Sequence, residues 1–87
     1  MRRTTHPRQI LQKERARRDL TLDELSAELK NHGARVSRSF LHEIEKGAAE
    51  PRELSLVLAF EEALGIPAET WPNFAGLTRF LELRKSA

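Results

Sequence analysis

The stretch VSRSFLHEIEKG, residues 36–47, decides how this chain folds. Ser37 is a natural helix N-cap, because its hydroxyl can accept from a backbone N–H two or three residues on. Val36 and Leu41 flank it at the two positions of a hydrophobic staple. Gly47 follows Lys46 and can take the left-handed conformation that ends a helix. The spacing therefore predicts a helix over 37–46. Within it Phe40, Leu41 and Ile44 fall at i, i+1 and i+4 and are expected to enter a core. Arg38, Ser39, His42, Glu43 and Lys46 fall at i, i+1, i+4, i+5 and i+8 and form one continuous polar stripe.

The same signals recur upstream. Thr21 and Glu24 make a capping-box pattern, with Leu20 and Leu25 at the staple positions. They predict a helix from Thr21 to about Asn31, followed by a turn at Gly33. An earlier helix is expected from about Arg8 to Arg18, with Pro7 in its first turn, where no donor is needed. Downstream, Pro51 is expected to open a fourth helix that reaches Leu64 and stops at Gly65 and Pro67. AETWPNF (68–74) reads as a short helical turn broken at Pro72, and a last helix is expected from about Phe74 to Lys85, weakened by Gly76. No segment alternates with period two, so the chain is all-α. Its 87 residues suffice for one domain. The expected layout is a basic arm at 1–6 leading a body at 1–70, then a C-terminal helical segment at 71–87 that serves packing or dimerisation.

Charge is unevenly spread, although the net value is only +2. Arg2, Arg3, Arg8, Lys13, Arg15, Arg17 and Arg18 face Glu14 alone, whereas Glu50, Glu53, Glu61, Glu62 and Glu69 face Arg52 alone. The first group suits a polyanion and the second does not; a merely solvated basic helix accounts for the first group equally well. There is no cysteine, which excludes disulfides, thiolate metal sites and cysteine nucleophiles. No apolar run approaches the roughly 20 residues of a membrane span. The N-terminal MRRTTHPRQIL lacks the apolar stretch of a secretory signal, so a cytoplasmic protein is expected. His6, His32 and His42 lie at no recognised metal spacing. Ser37 and Ser39 lack a base, and Glu61 and Glu62 fall on different sides of a helix. No enzyme, metal or cofactor is expected.

Two capped helices around a glycine-containing turn outline a helix-turn-helix. A helix about 10–12 Å wide fits the major groove of B-DNA. There Arg38 can donate two bonds to guanine, Glu43 can accept from cytosine, and Ser39 can do either. Such a stripe is also what the wet face of an ordinary helix looks like. Leu11 to Trp71 resembles the phage-repressor type of DNA-binding domain, the Cro/cI or XRE-like family. The resemblance is carried by Leu11 and Arg15, LTLDELSAEL, VSRSFLHEIEKG, Pro51 and EEALGI. It implies a compact lambda-repressor-like bundle of five to six helices that binds double-stranded DNA. It implies that Thr21 and Ser37 cap the motif helices beside the DNA backbone. It matches Arg38, Ser39 and Glu43 to base contacts, His42 to base or phosphate, and Lys46 to phosphate. Arg15 and Glu45 match an ion pair between the first and third helices.

The chain departs from that pattern in its link, LKNHGARVS, which is about five residues longer. The insertion brings Lys30, His32 and Arg35, either as phosphate contacts or as loop charge. Leu22 stands where a polar side chain is usual, and the fourth helix looks one residue longer. Arg2 and Arg3 read either as a minor-groove arm or as a tail. Trp71, Phe74, Leu77, Phe80 and Leu81 are expected to contribute to a symmetric dimer contact, or else to pack on the first and fourth helices. Two copies read a pseudo-palindrome with half-sites about one turn apart. The expected function is transcriptional repression from such an operator, by a bacterial protein of plasmid or phage type. The alternative is an antitoxin that neutralises a second protein and autoregulates its operon. RNA readout lacks the exposed aromatics interleaved with basic residues that it would need.

Overall fold

Side chains mark the starts of the first three helices in a computed structural model that describes residues 6–76, whereas the fourth begins without a side-chain cap. Helix α1 spans Pro7–Arg17, α2 Leu22–Asn31, α3 Arg38–Lys46 and α4 Leu54–Leu64. Two single 3-10 turns follow, Ala68–Thr70 and Pro72–Phe74. Pro7 occupies the first turn of α1, and the Gln9 side chain accepts from the His6 amide at 3.2 Å. Thr21 and Glu24 cap each other reciprocally at the start of α2, at 3.1 and 2.8 Å. The Ser37 hydroxyl accepts from the Phe40 amide at 3.0 Å and starts α3.

The first three helices stop in the same way. After α1, α2 and α3 a left-handed residue reverses the chain, and the next amide bonds back to a carbonyl five residues earlier. Those residues are Asp19, Gly33 and Gly47. The closing bonds are Leu20 to Arg15 at 3.1 Å, Ala34 to Leu29 at 3.0 Å and Ala48 to Glu43 at 2.9 Å. Asp19 tolerates the conformation, as short polar side chains do. At Gly47 a second constraint is added, since a Cβ would sit 3.0 Å from Cδ of Arg8.

The core gathers one stripe from each helix. Leu11 enters from α1, Leu25 and Leu29 from α2, Leu41 and Ile44 from α3, and Leu56, Val57, Phe60 and Leu64 from α4. Trp71 closes the lower side against Phe60, with ring centroids 5.3 Å apart and planes tilted by 32°. Such tilted aromatic pairs stabilise beyond the area that they bury.

Four sequence expectations need correction. Phe40 does not enter the core and remains 36% exposed. The inward side of α3 is set by Leu41, Ile44 and the buried Glu45, which places Phe40 on the rim. Trp71 is 1% exposed, so it is a core residue and not a free dimer contact; its packing also carries the body of the fold past residue 70. Helix α4 starts at Leu54 rather than at Pro51. Pro51 is itself buried, and its carbonyl accepts from Asn73 Nδ2 at 3.5 Å instead of a helical amide. Finally, four α-helices and no strand are present among the described residues, not five to six helices. Phe74 ends a 3-10 turn and continues into a turn at Ala75–Gly76 instead of opening a helix. Leu77, Phe80 and Leu81, like Arg2 and Arg3, lie outside the described residues. Among the described residues no helix is long and apolar enough to cross a membrane.

The different settings of the two phenylalanines give a test. Phe60→Ala is expected to lower the unfolding free energy by about 3–5 kcal/mol. Phe40→Ala is expected to lower it by less than about 1 kcal/mol. Urea unfolding followed by the fluorescence of Trp71 measures both.

Candidate functional site

Helix α3 stands out because its outer face is polar while its inner face is anchored from several sides. Arg38, Ser39, His42 and Lys46 are exposed and Glu43 is half-buried. The sequence produces this by placing Leu41, Ile44 and Glu45 inward, at i, i+3 and i+4, which leaves the opposite side free. Together with Leu22, Asp23 and Ser37, four of the stripe residues (Arg38, Ser39, His42 and Glu43) line a shallow depression between α3 and the start of α2. Lys46 lies one turn further along α3, where its Nζ is 3.4 Å from Glu43 Oε2.

The anchor is Arg15. Its Nε and Nη2 donate to the two carboxylate oxygens of Glu45 at 2.6 and 3.0 Å. Its Nη1 donates to the carbonyl of Leu20 at 2.8 Å. The fork therefore joins α1, the α1–α2 turn and α3 through one planar group, a geometry that lysine cannot reproduce. Hydrogen bonding to Glu45 holds the Arg15 guanidinium above its already high ordinary pKa. The Glu45 residue is 5% exposed, so without Arg15 its carboxylate would be left desolvated and unpaired. Gln12 donates to the Glu45 carbonyl at 2.8 Å and Arg8 to the Lys46 carbonyl at 3.4 Å. Those two side chains satisfy carbonyls that the end of a helix leaves open.

The lengthened link is tied down as well. Ala34 is buried, Val36 is half-buried, and the Ser26 hydroxyl donates to the Val36 carbonyl at 2.6 Å. The link therefore delivers Ser37 to its capping position from a fixed path. Arg35 is exposed, but it lines a separate depression with Asp23, Ser26 and Lys30. His32 turns the other way, with Nδ1 3.1 Å from Glu62 and Nε2 3.5 Å from Glu28. Of the three link residues, Lys30 and Arg35 share a surface, while His32 ties α2 to α4. Thr21 is exposed and spends its hydroxyl on the cap of α2.

The basic N-terminal cluster is less available than its composition suggests. Glu14 accepts from Arg17 at 2.8 Å and also from Arg18. These guanidiniums hold the Glu14 carboxyl below the usual carboxylate range, first through hydrogen bonds and then through charge. With Arg15 bound to Glu45, Arg8 and Lys13 are the remaining cations of the described part of that cluster, and Arg8 leans on the end of α3.

Sequence reasoning missed three contributors to the site. Asp23 reaches Arg38 at 3.9 Å, and Gln12 and Arg8 hold the last carbonyls of α3. The one signal for the latter pair was their spacing: Arg8, Gln12 and Arg15 stand at i, i+4 and i+7 on one side of α1. Among the described residues no group of three or more histidine, aspartate or glutamate side chains could hold a metal ion. No family model matches the chain, and no curated protein or solved structure is significantly similar to it.

Truncating either member of the ion pair strands its partner. Arg15→Ala and Glu45→Ala are each expected to destabilise the fold by about 3 kcal/mol. The double variant Arg15→Met with Glu45→Leu is expected to recover most of that loss, because neither charge is then left alone. Thermal and urea unfolding of the three variants measure the coupling.

Proposed function

We propose that this chain is a sequence-specific DNA-binding transcriptional regulator, a repressor that occupies a pseudo-palindromic operator as a homodimer. The observation that carries the reading is the outer face of α3, where Arg38, Ser39, His42, Glu43 and Lys46 lie together on a helix whose other side is locked to α1. In this reading α2 and α3 form a helix-turn-helix within a lambda-repressor-like domain, and α3 enters the major groove. The groove is about 12 Å wide and accepts one helix. Residues near the N-terminal end of a recognition helix reach base edges. Arg38 then bonds guanine O6 and N7, Ser39 reads its neighbour, and Glu43 accepts from cytosine N4. Lys46, at the far end of α3, and Arg35, on the link, meet phosphates. His42 reaches either base or phosphate.

The free protein is already disposed for this exchange. Arg38 is held by Asp23 only across 3.9 Å between two well-exposed side chains. A pair of that kind contributes under about 1 kcal/mol, so DNA displaces it readily. Glu43 and Lys46 at 3.4 Å form a similar exposed pair. Two copies related by a two-fold axis place two such helices about 34–36 Å apart, one turn of the duplex. The mechanism is occupancy: the bound dimer excludes polymerase, and no residue is assigned a catalytic role.

Selection from random duplex DNA near physiological salt is the direct test. A two-fold symmetric motif is expected. A pool with no enriched sequence, and binding that disappears at moderate salt, would overturn the reading; a co-purifying protein partner would then favour the antitoxin alternative. Within the preferred site, Arg38→Ala is expected to cost about 1–3 kcal/mol and to relax preference at one base pair. Lys46→Ala is expected to weaken all sequences alike and to reduce the salt slope by about one. Titration against the selected and scrambled duplexes at several salt concentrations separates the two effects.

A further inference from the structure

A half-open cleft of about 190 Å³ lies where the start of α1, the end of α3, the α3–α4 link and Trp71 meet. Ile44, Ala49, Trp71 and Pro72 supply its apolar lining, and Arg8 and Glu50 supply its charges. These charges are opposite and share one cleft, yet among the described residues neither has an ion-pair partner. Arg8 is held in place by the end of α3. Its stem passes Gly47, where a Cβ would meet Cδ at 3.0 Å, and its Nη1 donates to the Lys46 carbonyl at 3.4 Å. Among the described residues the rest of the guanidinium has no acceptor.

Trp71 gives a second, independent sign that this wall is incomplete. The residue is buried, and among the described residues its Nε1 has no hydrogen-bond partner. A buried donor without an acceptor is unfavourable, and folded proteins satisfy nearly all of them. The size of the cleft limits what could supply the acceptor. An apolar cavity of roughly 150 Å³ takes a benzene-sized molecule, so this cleft accommodates roughly eight non-hydrogen atoms. A direct pair between Arg8 and Glu50 would be an exposed one, weak beside a ligand that answers both charges at once.

We infer that this cleft binds a small aliphatic α-amino acid of the size of valine. The ligand's ammonium donates to the Glu50 carboxylate. Its carboxylate accepts from the Arg8 guanidinium and lies against Trp71, where a slight shift of the ring lets Nε1 donate to it as well. Its side chain rests on Ile44, Ala49 and Pro72. A zwitterion suits these walls better than either ion alone, because a bare anion would face Glu50 and a bare amine would face Arg8. The site borders the last turn of α3 through Arg8 and Gly47, so an occupant bears on the end of that helix. This inference concerns binding alone and does not depend on the DNA reading.

Trp71 is the single tryptophan of the chain and lines the cleft, so its fluorescence reports occupancy. L-Valine is titrated into the full-length protein, and isothermal calorimetry follows the same additions. Isovalerate, which lacks the ammonium, and isobutylamine, which lacks the carboxylate, serve as analogues. A saturable response to L-valine is expected, with each analogue roughly tenfold weaker, as the loss of a hydrogen bond to a charged group implies. Arg8→Gln and Glu50→Gln are each expected to weaken L-valine by a similar factor. Both side chains are exposed, and circular dichroism verifies that the variants fold. Ala49→Leu fills the cleft and is expected to abolish the response. No saturation by either method up to about 20 mM would overturn the inference. Isovalerate binding as well as L-valine, with neither affected by Glu50→Gln, would overturn the amino-acid assignment and leave only an anion at Arg8.

Discussion

One guanidinium sets the pose of the helix on which the proposed function depends. Arg15 reaches from α1 to the carboxylate of Glu45 and to the carbonyl of Leu20, so it fixes α3 and the entry to α2 with the same group. Apolar packing alone would leave α3 free to roll, because Leu41 and Ile44 are smooth contacts without direction. Hydrogen bonds with a defined fork geometry remove that freedom. The buried position of Glu45 makes the choice all or none: a rotated α3 would leave a desolvated carboxylate without its partner. Gln12 and Arg8 extend the same logic to the last carbonyls of α3.

With the inner face fixed, the outer face inherits its orientation at no further cost. The longer α2–α3 link could have undone this, since extra residues usually add freedom. Here it is anchored twice, by the burial of Ala34 and by the bond from Ser26 to Val36. His32 adds a third tie toward α4. The link therefore acts as a strap that ends at the Ser37 cap, and the direction of α3 is set from both its ends.

Much of this was legible in the sequence because capping is local chemistry. Thr21, Ser37, Gly33 and Gly47 announce helix ends through their own side chains, or through the lack of one, and the structure uses each of them. The Arg15–Glu45 pair was also reached from the sequence, although through family resemblance and not from spacing. What stayed hidden depends on tertiary context. Phe40 has the same apolar character as Leu41, and its place on the rim follows from the burial of Glu45, which no hydrophobicity pattern anticipates. Pro51 is a natural helix opener, yet its burial and its contact with Asn73 draw it into the preceding segment. Trp71 reads as a dimer contact or as packing on the first and fourth helices until Phe60 is found beside it.

Charge pattern was the least transferable signal, and the reason bears on the proposed readout. Counting arginines in the first 18 residues suggests a broad cationic surface. Glu14 and Glu45 instead absorb Arg15, Arg17 and Arg18 into intramolecular pairs. The cations left toward solvent on the described structure are sparse and spread across α1, the link, α3 and the segment before α4: Arg8, Lys13, Lys30, Arg35, Arg38, Lys46 and Arg52. A dense uniform patch attracts any polyanion, whereas a few separated cations around a mixed polar stripe gain less from phosphate alone. Affinity must then draw more heavily on contacts to base edges, which discriminate between sequences. If the chain acts as proposed, internal neutralisation favours selectivity over general affinity for polyanions, in keeping with a net charge of only +2.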